Sequence, residues 1–253
     1  MKTAARGSAA PSSDPPEPLS FPFEALPPIS AAGLEAIKEH ALRVNHRYLI
    51  EFIEEYAFCP FSREGRRKGQ TTRYVYYIDR LEAAPLIELM HQIAADPKQA
   101  VAQVIFPIIE VAPLDWVNFC TELTAAAHAL LPGRDVLALA ALHPGLAFKT
   151  LNPFSLIPLF RRAPDPTIQW VRLDALEAIY EGRKKGTTFV SLADVPKLVA
   201  AGRPKKPLYD RVAETNQSMA RRLGIDKVVE LLAEIHDDGR RSYARILAET
   251  IID

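Results

Sequence analysis

AVAQVIFPIIEVAPLDWVNFCTELTAAAHALLPGRDVLALAALHP, residues 100–144, is the stretch on which the fold turns. Its two ends, AVAQVIFPII and VLALAALHP, are almost wholly apolar runs of strand length, the composition of strands covered on both faces. Between them Trp116, Phe119, Cys120, Leu123, Ala127 and Leu130 recur at helical spacing. Asp115 stands where it can cap that helix, and Pro132-Gly133 where it must end. Upstream, the β-branched and aromatic run RYVYYI at 73–78 reads as a strand. A helix follows from about Ala84, with Pro85 in its first turn and Leu86, Leu89, Met90 and Ile93 on one face, ending near Asp96-Pro97. Strands separated by helices of this length predict an α/β fold with a small, mainly parallel sheet of three to four strands and packed helices. A ferredoxin-like α+β arrangement, with a split crossover, fits the same order.

Outward from this core, Leu34, Ile37, Ala41, Tyr48, Leu49, Phe52, Ile53 and Tyr56 predict a helix that stops before Pro60 and leaves Cys59 at its end. After His143, the segment LNPFSLIPLFRRAPDPT carries four prolines and reads as a long irregular loop. IQWVRLDALEAIYEG resumes a helical pattern through Ile168, Val171, Ala175 and Ile179, and two or three further helices close the chain, with Val228, Leu231, Leu232 and Ile235 as the clearest stripe. Residues 1–30 hold seven of the 21 prolines and read as a disordered tail. The expected organisation is therefore that tail, an α/β domain over 31–224 with a basic insertion at about 183–206, and a helical extension over 225–253 packed on the domain.

The charges balance, 31 basic against 31 acidic side chains, so no global attraction to nucleic acid or to an anionic membrane is expected. Charge is local instead. Arg63, Arg66, Arg67, Lys68 and Arg73 stand against Glu64, and seven basic residues between Arg183 and Lys206 stand against Asp194. Such runs are solvated loops or anion-binding surfaces. There is no signal-peptide core and no apolar run long enough to span a bilayer. With Cys59 and Cys120 as the only cysteines, a cytoplasmic protein with free thiols is expected. No Gly-rich phosphate loop, HExxH, CxxC or GxSxG is present, and the six histidines fall in no ligand spacing, so no metal and no cofactor is expected.

Three motifs resemble one bacterial family. They are Cys59-Pro60-Phe61-Ser62 followed by Gly69, Gln70, Arg73, Tyr74 and Val75; Leu142-His143-Pro144 with Phe148; and Arg162-Ala163-Pro164-Asp165-Pro166-Thr167 with Arg172. A fourth match runs from Leu208-Tyr209-Asp210-Arg211 to Leu223-Gly224. From about residue 45 to 224 the chain resembles the family called domain of unknown function 1415, as a divergent member. Where that family carries titratable residues, this chain has Phe106, Gln169 and Leu173, which speaks against a multi-histidine metal site.

The polar residues that survive in the matched motifs define the candidate site. Cys59, beside the basic stretch, is a nucleophile or redox centre if its thiolate is favoured, and a small packing hydrophobe otherwise. Cys120, on an apolar stripe, reads as structural. His143, closing a strand before the proline-rich loop, is a general acid/base or a cap for loop backbone. Arg162, Arg172 and Arg73 hold a carboxylate or phosphate, or tie loop carbonyls to the sheet. His128 and His236 read as solvent-facing. The expected function is a cleft for a small anionic molecule, with Cys59 and His143 as catalytic candidates. The alternative is a non-catalytic scaffold that docks an acidic partner or RNA through its basic loops.

Overall fold

Side chains alternate between two faces along four short segments, and each face has a separate helical cover. The computed structural model describes residues 20–21, 28–59, 61–77, 81–130, 137–175 and 208–251. In it β2 (Thr71–Val75), β4 (Val101–Ile105), β5 (Leu137–Leu142) and β6 (Thr167–Arg172) form one sheet in the order β2-β4-β6-β5. A separate antiparallel pair joins β1 (Ser20–Phe21) to β3 (Leu81–Glu82).

The expected α/β class with a four-stranded sheet is what the chain adopts, but the strands are not mainly parallel. Only β2 and β4 pair in parallel, and β6 lies antiparallel to both β4 and β5. β4 and β5 thus run in the same direction on either side of β6, with α4 (Pro113–Leu130) between them in the chain, which is the split crossover. The difference arises in TIQWVR, read from sequence as helical through Ile168 and Val171. Its β-branched and aromatic residues form β6 instead, because Ile168 and Trp170 fill one face of the sheet while Thr167, Gln169 and Val171 fill the other. The expected loop at 151–167 also contains a helix, α5 (Pro153–Phe160). Asn152 accepts from the Ser155 N–H at 2.8 Å and the Ser155 hydroxyl accepts from the Asn152 N–H at 3.1 Å, a closed capping box with Pro153 in the first turn. Asp115 lies inside the first turn of α4 and does not cap it.

One sheet face packs on α3 (Ala83–Ala95) and α4 through Leu86, Leu89, Trp116, Phe119 and Leu123. Cys120 belongs to that layer, and burial pushes its thiol up to about 12. The other face has three cross-strand rows: Thr71, Val101, Val171 and Ala138; Arg73, Gln103, Gln169 and Ala140; Val75, Ile105, Thr167 and Leu142. α1 (Ala31–Arg47) and α7 (Ile225–Thr250) pack against each other, and their cluster of Ile37, Ala41 and Tyr243 covers Ile105 and Val75 in the third row. Over the remainder lie a π-helical continuation of α1 (Tyr48–Glu54), α2 (Ser62–Arg67), α5 and α6 (Leu208–Leu223).

Within the expected tail, Ser20–Phe21 pairs with β3, Ile29 bridges to Ile251, and the Ser30 side chain caps α1. The rest of residues 1–27, the basic insertion at 183–206 and the Ile179 end of the expected helix lie outside the described residues, as does the His128 side chain. No described helix is long and apolar enough to cross a membrane.

Candidate ligand-binding cavity

The first two rows of the second sheet face form the floor of a cavity of about 430 Å³ beneath the π-helical turn, α2, α5 and α6. Its walls come from Tyr48, Leu49 and Ile53 of the π-helical turn, Phe58, Ile157 and Phe160, and Val212 and Ala213 of α6. The wider π winding is itself a local departure from α geometry, of the kind that recurs at functional sites. The turn after it closes at Ala57, whose φ of 53° places a non-glycine residue in the left-handed region and lets the Phe58 N–H return to the Ile53 carbonyl at 2.9 Å. That turn packs Phe58 into the core and brings Cys59 to the cavity.

Several polar lining groups are already engaged. Tyr48 donates to the Phe160 carbonyl at 2.7 Å, and Asn216 to the Phe58 carbonyl at 3.0 Å. Arg66 donates through both Nε and Nη2 to the Glu54 carboxylate, at 3.0 and 2.7 Å, and Ser62 adds a third bond at 2.9 Å. Burial alone would raise the Glu54 carboxyl, but those bonds outweigh it and hold Glu54 below its ordinary value. Among the described residues no carboxylate pairs with the Arg161 guanidinium, which also lines the cavity beside Tyr48. On the floor Gln103, only 1% exposed, donates from Nε2 to Gln169 Oε1 at 2.9 Å, while its own Oε1 and the Thr71 hydroxyl are buried with no partner among the described residues.

Of the five candidate site residues read from sequence, Cys59, His143, Arg162, Arg172 and Arg73, only Cys59 lines this space. Burial raises its thiol above the ordinary value, and the neighbouring Glu54 charge pushes the same way. Backbone N–H groups of Phe61 and Ser62 oppose this without overcoming it. The basic stretch does not offset it either, since Arg66 is held by Glu54, Lys68 pairs with Glu64 and Arg73 is turned toward α1. The environment therefore favours the thiol and the packing role of Cys59 over a thiolate.

His143 is 6% exposed and has both ring nitrogens on backbone: Nδ1 accepts from the Gly145 N–H and Nε2 donates to the Val111 carbonyl, each at 3.0 Å. Burial lowers its pKa, so it is the neutral tautomer that ties the 143–145 turn to the loop before α4. The arginines do similar work. Arg162 Nε donates to the Pro144 carbonyl at 2.6 Å, Arg172 Nη1 to the Ala94 carbonyl at 3.1 Å with Asp174 on its other nitrogens, and Arg73 Nη1 to the Leu42 carbonyl at 3.2 Å. None of these four residues lines the cavity. His236, expected in solvent, is buried and bonds the Arg162 carbonyl through Nε2 at 2.9 Å, since its turn of α7 faces the domain.

Sequence reasoning passed over Arg161, Thr71 and Gln103. One signal was present: Gln103 is the single polar residue of AVAQVIFPII, and an amide inside a buried strand needs a partner. Comparison with family models, curated proteins and solved structures finds no match to this chain.

Proposed function

We propose that the protein is a receptor for a small, flat, mostly apolar molecule carrying an anionic group, with Arg161 as the counter-ion. The observation that carries this reading is a cavity of ligand size, about 430 Å³, walled by aliphatic and aromatic side chains, with one guanidinium unpaired among the described residues. Apolar walls with a few convergent polar groups are the usual makeup of small-molecule sites, and a guanidinium in such walls gains most from a carboxylate that can meet its fork. In this reading Cys59 is wall and the function is binding without thiol chemistry. The likeness to domain of unknown function 1415 supports the location, since Cys59, Phe61, Ser62 and Tyr209 of its matched motifs line the cavity. The two free cysteines support a reducing, cytoplasmic setting.

The test is calorimetric titration with 2-naphthoate and with its neutral analogue 2-naphthalenemethanol. The carboxylate is expected to bind saturably and more tightly. Arg161→Met is expected to weaken it roughly tenfold, the cost of losing one charge-assisted hydrogen bond, and Ala213→Phe, which fills the cavity, to abolish binding of both. Equal affinity of the carboxylate for the wild type and for both variants overturns the reading.

A further inference from the structure

We infer that the floor of the cavity recognises a planar group presenting an N–H donor and a carbonyl acceptor on one edge, as in a lactam, imide or pyrimidinone ring. This deepens, and rests on, the ligand-binding reading above. Gln103 and Gln169 occupy directly opposed positions on β4 and β6, in the middle row of the floor. Their amides share one hydrogen bond, from Gln103 Nε2 to Gln169 Oε1. A pair of primary amides joined by a single bond has one carbonyl and one NH₂ outside that bond. Here the acceptor is Gln103 Oε1, buried and without a partner among the described residues, and the donor is the Gln169 amide nitrogen. Turning both amides over exchanges their roles but still leaves one acceptor and one donor side by side. A carboxylate cannot satisfy such a pair, because it has no proton to donate to the buried oxygen. A cis-amide edge satisfies both partners at once, and the buried Thr71 hydroxyl, also unpartnered, can complete the contact.

The energetic argument is the asymmetry of buried polar groups: a buried acceptor left unmet costs more than a hydrogen bond gains. A ligand that meets Gln103 Oε1 is therefore discriminated from one that covers it. Phe58 and Phe160 line the same space and offer aromatic faces to a ring. Together with Arg161 this defines the ligand class as an acid built on a lactam-type or imide-type ring.

The experiment compares quinazolin-4(3H)-one with its N3-methyl derivative, which has nearly the same shape and no N–H donor. Titrations use the full-length wild type, Gln103→Met and Gln169→Met, with 2-naphthoate run in parallel. The wild type is expected to prefer the N–H compound by roughly tenfold or more. Gln103→Met is expected to lose that preference; its melting temperature reports separately on the hydrogen bond to Gln169, which the variant also removes. Should the amide pair serve only to hold β4 against β6, Gln103→Met would lower the melting temperature and leave the preference of the wild type intact, and the inference falls. Binding of 2-naphthoate without preference between the two quinazolinones overturns the amide-edge inference alone. Binding of none of the three overturns both it and the receptor reading.

Discussion

Tyr243 donates its hydroxyl to Oδ2 of Asp165 at 3.0 Å, joining α7 to the segment that leads into β6. Both residues are buried, and the His40 ring meets Tyr243 edge-on with centroids 4.7 Å apart. Burial pushes the Asp165 carboxyl up to about 7, and the hydrogen bond from Tyr243 draws it back only in part. Near neutral pH, then, the attachment of the last helix runs through a carboxyl that is close to half-protonated.

The sign of the resulting pH dependence follows. A carboxyl whose folded pKa lies above its unfolded value of about 4 binds its proton more tightly in the folded state. Its contribution is full below pH 4 and is lost as pH rises through about 7. His40, His143 and His236, all lowered first by burial, pull the wild-type profile the other way below their ordinary value of 6.5. Asp165→Asn cancels the histidine part by difference. Urea denaturation of the two proteins at pH 4.5, 6 and 8 is expected to show the variant gaining on the wild type by a few kcal/mol across the range, since each tenfold difference in proton affinity between the folded and unfolded carboxyl is worth about 1.4 kcal/mol. A difference that stays constant with pH removes Asp165 as the titrating group.

The elements legible in the sequence were those whose own pattern matched their burial. AVAQVIFPII is apolar because β4 is buried on both faces, VLALAALHP forms the half-buried edge strand β5, and the stripe from Trp116 to Ala127 is the buried side of α4. The sense of the sheet was not legible, because it depends on where β6 inserts, a long-range pairing that Ile168 and Val171 do not encode locally. α5 was hidden by its prolines, although Asn152 and Ser155 spelled its cap. The site was obscured for a related reason. Cysteine, histidine and arginine draw attention as chemical groups, yet His143, Arg162 and Arg172 meet backbone carbonyls, and among the described residues that line the cavity the unmet buried polar atoms belong to Gln103 and Thr71.

Cys59 and Cys120 are both expected to resist alkylation in the native protein. Burial raises both thiols, and at Cys59 the Glu54 charge adds to it. Iodoacetamide labelling across pH 6 to 9 with peptide mapping is expected to give a Cys59 midpoint above the ordinary thiol value of about 8.5. Saturating 2-naphthoate should slow Cys59 further and leave Cys120 unchanged, because only Cys59 lines the cavity. A Cys59 midpoint below about 8 restores thiol chemistry to the site.

His143→Phe separates a backbone cap from a catalytic base. The substitution leaves the Gly145 N–H and the Val111 carbonyl without their shared partner; Gly145 is exposed and Val111 half-buried, so the cost is about 1–3 kcal/mol, the net worth of two ordinary hydrogen bonds. Urea denaturation is expected to show that loss, with naphthoate affinity unchanged in protein that remains folded. Unchanged stability together with a tenfold loss of affinity would place His143 at the ligand.

Glu54→Gln tests the electrostatics of the cavity wall. Glu54 is 4% exposed and neutralises Arg66, so one of the two guanidiniums lining the cavity is already matched and Arg161 is left for a ligand. Glutamine keeps an oxygen for Ser62 or Arg66 but removes the charge, and two consequences follow. Stability at neutral pH falls by about 1–3 kcal/mol, because Arg66 loses a charge-assisted, two-point contact. That loss should shrink as pH falls through the folded Glu54 pKa, since the wild type itself becomes neutral there; Glu54 is held below its ordinary value, so its stabilisation disappears on the acid side. The second consequence is on binding: with Arg66 unneutralised the cavity becomes more cationic, and 2-naphthoate should bind severalfold more tightly while 2-naphthalenemethanol is unaffected. The Cys59 thiol should also titrate at lower pH, having lost the anion that raises it. An unchanged ratio of carboxylate to alcohol affinity would mean that the anionic group does not face this wall, and Arg66 and Arg161 would then have no part in recognition.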